Sequence, residues 1–69
     1  MKNNFNARNL KKYNVLESSN GFVQINSDYD SFHGGYYVVD MTLDEDGNLV
    51  AEDNEHLMTL TDFIGYELI

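Results

Sequence analysis

The stretch "HLMTLTDFIGYELI", residues 56 to 69, decides the fold class, because its apolar spacing fits either a short helix or a last strand. Thr59 has the chemistry of a helix N-cap, Asp62 stands three residues on as an approximate capping-box partner, and Met58 and Phe63 occupy the two hydrophobic-staple positions. A helix begun there would bury Leu60, Phe63, Ile64 and Leu68 along one stripe. Gly65 opposes it by about 1 kcal/mol relative to Ala, and so short a helix holds only when docked onto a sheet. The competing reading makes DFIGYELI, residues 62 to 69, a strand. The capping signals favour the helix. The expected class is therefore α+β: a small, mainly antiparallel sheet of about four strands in two hairpins, with a short C-terminal helix packed on one face.

The sheet is read from runs of period two. YYVVDMTL, residues 36 to 43, sets Tyr37, Val39, Met41 and Leu43 on one face and Tyr36, Val38, Asp40 and Thr42 on the other, and the first set is expected in the core. DEDG, residues 44 to 47, suits a type I turn followed by a left-handed Gly47, the three-residue hairpin loop with a glycine bulge. That register puts Leu43 opposite Leu49, Met41 opposite Ala51 and Asp40 opposite Glu52. A two-residue turn at Asp46-Gly47 would put Leu43 opposite Val50 instead. Upstream, YNVLE and GFVQIN are joined by Ser18, Ser19, Asn20 and Gly21, a hairpin in which Val15, Val23 and Ile25 can share a face. NSDYDSFHGG, residues 26 to 35, is a polar loop with paired glycines at its end. Residues 1 to 12 form a basic, Asn-rich arm or a two-turn helix from Asn6, with Leu10 and Tyr13 as its strong apolar residues.

At 69 residues, with neither linker nor internal repeat, the chain reads as a single small acidic domain with a thin core. Cysteine is absent, which suits a reducing compartment and excludes disulfides and thiolate metal sites. There is no apolar run of membrane-spanning length, and MKNNFNARN lacks the apolar segment of a signal peptide, so a cytoplasmic location is expected. The formal net charge is −8, and its distribution is uneven: Lys2, Arg8, Lys11 and Lys12 precede all twelve acids, which begin at Glu17. Average usage would place roughly seven Lys or Arg in residues 13 to 69. There are none. Direct binding to nucleic acid or to anionic membrane, both of which need cations, is disfavoured.

No motif for catalysis or for a cofactor stands up. With Gly47 at the sixth place of a calcium loop, Thr42, Asp44 and Asp46 fall at ligand places, but Val50 and Asp53 take the ninth and twelfth, and DEDGN is an ordinary hairpin tip. His33 and His56 lack the spacing of a helical ligand pair, HGG has no nucleophile elbow, and the serines occupy turns. Neither a metal nor a cofactor is expected, and the protein is not expected to be an enzyme. Five tyrosines and four phenylalanines fit a core with a wet aromatic rim, or equally a protein interface.

The acidic stretch is the feature with functional content. Asp40 opposite Glu52 places like charges across a ladder, which costs a few tenths of a kcal/mol or more. Glu45 and Asp46 extend that field from the turn, joined by Asp44, while Asp53 and Glu55 extend it from the next loop. A field of one sign either only solubilises or steers toward a cationic partner. The second reading makes Asp40, Asp44, Glu45, Asp46, Glu52, Asp53, Glu55 and Tyr36 the partner-binding residues. In size, acidity and lack of cysteine the chain resembles the phage-encoded inhibitors that mimic nucleic acid, such as anti-CRISPR, antirestriction and uracil-DNA glycosylase inhibitor proteins. That resemblance implies a non-enzymatic inhibitor occupying the basic, nucleic-acid-binding site of a target protein. The alternative is an interaction or assembly module without mimicry, which can be a homodimer.

Overall fold

A computed structural model describes residues 5–69. Among them run six strands: β1 (Val15–Ser18), β2 (Gly21–Ile25), β3 (Gly35–Leu43), β4 (Leu49–Ala51), β5 (His56–Thr59) and β6 (Glu67–Leu68). They form one sheet in the order β4-β3-β2-β1-β6, with β5 also paired to β3, and every pairing is antiparallel. Helical geometry among the described residues is limited to two 3-10 turns, Ala7–Asn9 and Leu60–Phe63. The expected α+β class, with four strands and a C-terminal helix, is thus corrected to a mainly antiparallel six-stranded sheet.

The tail shows why. The Asp62 carboxylate accepts the Thr59 backbone N–H at 2.9 Å and its hydroxyl at 3.0 Å, so the start signal operates and sends Phe63 into the core. One 3-10 turn suffices for that. Gly65 then takes φ 92, a left-handed conformation open to glycine, and the chain turns back to pair Glu67 with Glu17 and Leu68 with Leu16. Ile64, expected on the buried stripe, is 82% exposed. Continuing the helix would have forfeited the ladder with β1.

The strand count rises because one edge of β3 carries two partners. β4 pairs with Met41 to Leu43, and β5 with Gly35 to Val38. Val38 and Met41 are three residues apart on β3, while their partners His56 and Ala51 are five apart, so two extra residues bulge out between them. The tip has the expected register: Leu43 faces Leu49, Met41 faces Ala51, and Gly47 has φ 82.

The core lies on the face opposite to the one expected. Leu16, Val23, Ile25, Tyr36, Val38 and Met58 are buried together, with Leu10 and Phe63 closing over them. Tyr37, Met41 and Leu43 point to the other face, and so does Val15, which pairs with Gln24. Four consecutive apolar residues, Tyr36 to Val39, give β3 no preferred side. Its pairing decides: Ile25 and Val23 stand opposite Val38 and Asp40, and the buried Tyr36 hydroxyl accepts the Leu10 N–H at 3.2 Å. Burial pushes that phenol's pKa up.

The described part of the arm makes one 3-10 turn, capped by Asn6 through the Arg8 N–H, in place of a two-turn helix, and its first four residues lie outside the described residues. At the base of the sheet, Gly35 is packed so tightly on β5 that a Cβ there would meet the Met58 carbonyl and stand 2.7 Å from Thr59 Cα. The whole measures 38 × 31 × 18 Å. With layers packing about 10 Å apart, the short dimension holds the sheet and one covering layer, which leaves the other sheet face uncovered.

Candidate functional site

β3 is nine residues long, and its last residues run past the core into an exposed hairpin. The Asp44 carboxylate builds the tip by accepting the N–H groups of Asp46 and Asn48 at 2.9 and 2.8 Å, while its backbone carbonyl takes the Gly47 N–H at 3.1 Å. Asp44 is therefore partly spent on the turn. Glu45 and Asp46 beside it, and Asp53 in the bulge, are exposed.

Asp40 and Glu52 do face each other, the Glu52 N–H donating to the Asp40 carbonyl at 2.8 Å, and the cost of that pairing is offset by donors beside it. His56 Nε2 lies 3.2 Å from one Asp40 oxygen, Asn54 Nδ2 donates to the other at 2.7 Å, and the Thr42 hydroxyl donates to Glu52 at 3.2 Å. Hydrogen bonding from His56, then from Asn54, holds the Asp40 carboxyl below its usual range. The bulge makes this possible. It brings Asn54 to the edge of β3, where Asn54 Oδ1 also accepts the Asp40 N–H at 3.3 Å. Neither Asn54 nor His56 was legible as a partner of Asp40, because no glycine or proline marks the bulge.

Glu55 stands on the far side of the bulge and accepts from Asn26 Nδ2 at 2.7 Å, a bond that spans β3 from the β2 side to the β5 side. Tyr36, expected among the partner-binding residues, is fully buried in the core and presents nothing to a partner. The structure thus gathers Asp40, Asp44, Glu45, Asp46, Glu52 and Asp53 on the hairpin and bulge, sets Glu55 at their margin, and removes Tyr36. Arg8, Lys11 and Lys12 belong to the arm, which meets the base of the sheet through Leu10 and Tyr36. From Tyr36 to Leu43 is about 24 Å of strand. Among the described residues the ion pairs of Asp and Glu are with His33 and His56.

The unexpected strand β6 forms a second carboxylate pair. Glu17 and Glu67 stand opposite each other on β1 and β6, beside a polar cleft also lined by Ser18, Ser19 and Gly65. In the 26–35 loop, Asp30 organises the turn by accepting the N–H groups of Phe32 and His33, and its carboxyl is held low chiefly by the His33 ring at 2.8 Å. Among the described residues no three His, Asp or Glu side chains converge as metal ligands, and no helix is long and apolar enough to cross a membrane. Family models, curated proteins and solved structures yield no match to this chain.

Proposed function

We propose that the protein is a small non-enzymatic binding protein of the cytoplasm whose acidic hairpin occupies the basic, nucleic-acid-binding site of another protein. The observation that carries this reading is the projection of Glu45, Asp46, Glu52 and Asp53 beyond the core on a hairpin without Lys or Arg. A row of carboxylates on a protruding ribbon offers a cationic groove what a phosphate backbone offers, negative charge at close spacing, and desolvated contacts with Arg are strong. The hydrogen bonds that hold Asp40 and Asp44 fix the ribbon's shape, leaving the outer acids for contact.

The test has two steps. Proteins retained from host lysate by the parent, but not by the variant E45Q/D46N/E52Q/D53N, are identified. Each is then titrated with its own nucleic acid in the presence of the parent protein. The reading requires competition that fades steeply as salt rises toward 1 M, where the Debye length is about 3 Å. Simultaneous binding of nucleic acid and this protein would rule the mimic out. An interaction or assembly module without mimicry is the second reading, favoured by the apolar residues on the outer face of the sheet, and it requires partner binding or self-association that persists at high salt.

A further inference from the structure

The face of the sheet turned away from the core is apolar along its middle. Tyr37, Val39, Met41 and Leu43 run down β3, with Leu57, Ala51 and Leu49 beside them on one flank and Phe22 and Gln24 on the other, and the Asn26–Glu55 hydrogen bond crosses the stripe beside Val39. Val39 is 9% exposed yet stands outside the core cluster, and Leu43 is 58% exposed. At the base the stripe continues through ring contacts from Tyr37 to His33 (6.0 Å between centroids) and on to Phe32 (4.8 Å), which is 89% exposed.

Carboxylates border this stripe, Glu17 and Glu67 across β1 and β6, Asp44 to Asp46 at the tip and Asp53 at the bulge, while Glu55 reaches over it to Asn26. β1 to β6 carry no Lys or Arg. That border selects the occupant. A second copy laid face to face would oppose acid to acid, and an anionic bilayer would be repelled. A cationic surface with an apolar seam satisfies both components.

We infer that the outer face of the sheet seats a cationic amphipathic helix of the partner, its apolar side on the β3 stripe and its Lys or Arg side chains reaching the bordering carboxylates. The dimensions agree. From Tyr37 to Leu43 is about 20 Å of strand, the length of a helix of about 14 residues, and a helix about 10 Å across covers two to three strand spacings. This deepens the proposed function, on which it rests for the existence of a basic partner, by adding an apolar surface that the partner must match.

The probes are two synthetic peptides of equal charge, one with Leu at helical i, i+3, i+4 spacing among Lys, the other with Ser replacing each Leu. They are titrated into the full chain and followed by amide NMR. The Leu peptide should bind at least about 10-fold more tightly than the Ser peptide and shift Phe22, Tyr37, Val39, Met41 and Leu57. The double variant F32S/L43S, altered at exposed positions, should lose that advantage and keep its fold. Equal binding of the two peptides, shifts confined to residues 44–47 and 52–55, or stripe shifts that track protein concentration without peptide would each overturn the inference. If the Leu peptide docks as described while no captured partner shows competition with nucleic acid, the mimic reading falls and the docking face stands.

Discussion

From Gly35 to Val39, β3 is mostly buried, with β5 along one edge as far as Val38 and β2 joining the other from Val38 onward; from Asp40 to Leu43 it opens, until Thr42 and Leu43 are exposed. The same strand thus serves as the centre of the fold at one end and as a display element at the other. Two features produce the contrast. Gly35 lets β5 approach too closely for any side chain, and Tyr36 reaches across the core to the arm, so the base is locked by packing. The distal half is held by its turn and by polar bonds around Asp40, which solvent can replace at little cost. The difference teaches where stability and function can separate: changes at the base should unfold the domain, and changes at the tip should alter only what it binds.

Gly35→Ala should be the largest test of that separation. Its Cβ would meet backbone, which cannot rotate away, so a loss of about 3 kcal/mol or more is expected, enough to unfold much of a domain this small. Thermal denaturation will read it, and a melting temperature near that of the parent would break the contrast at its root. Tyr36→Phe should come next, at about 1 kcal/mol, because the buried Leu10 N–H loses its acceptor while the ring remains.

Asp40→Asn sits at the boundary and should cost less than 1 kcal/mol at neutral pH, since its side chain is 44% exposed. Its pH signature is more telling. A carboxyl held below its usual range in the folded state contributes stability above about pH 4 that is lost as pH falls through the folded value. The parent should therefore lose stability on acidification more steeply than the variant, and urea melts between about pH 5 and 2.5 will show whether it does. Smallest of all, E45Q/D46N/E52Q/D53N should change stability by no more than about 0.5 kcal/mol in either direction.

What could be read in advance follows the same division. The tip was legible: DEDG between two apolar runs requires a left-handed glycine and fixes the register, and local chemistry is all a hairpin turn needs. The base was not. Tyr36 to Val39 is apolar on both sides of the strand, so alternation cannot choose a face, and the deciding contacts come from Val23, Ile25 and Leu10, distant in sequence. The tail misled for a related reason. Its capping signals were real but sufficed for one 3-10 turn, and the competing ladder with β1 could not be weighed from local spacing. Six of the eight expected site residues gather on the hairpin and bulge, whereas Tyr36 failed with the face on which it was placed.

Amide hydrogen exchange along β3 tests the central division most directly. Val38 and Thr42 both face the edge shared by β5 and β4, by the alternation of an antiparallel ladder, and differ in being buried or exposed. Val38 should exchange only when the whole domain unfolds, with a free energy equal to that from denaturant melts. Thr42 should exchange through local opening of the hairpin, at least about 100 times faster once intrinsic rates are removed. Equal protection at the two amides would mean that the hairpin and the core open as one unit, and the separation of a locked base from a displaying tip would be contradicted.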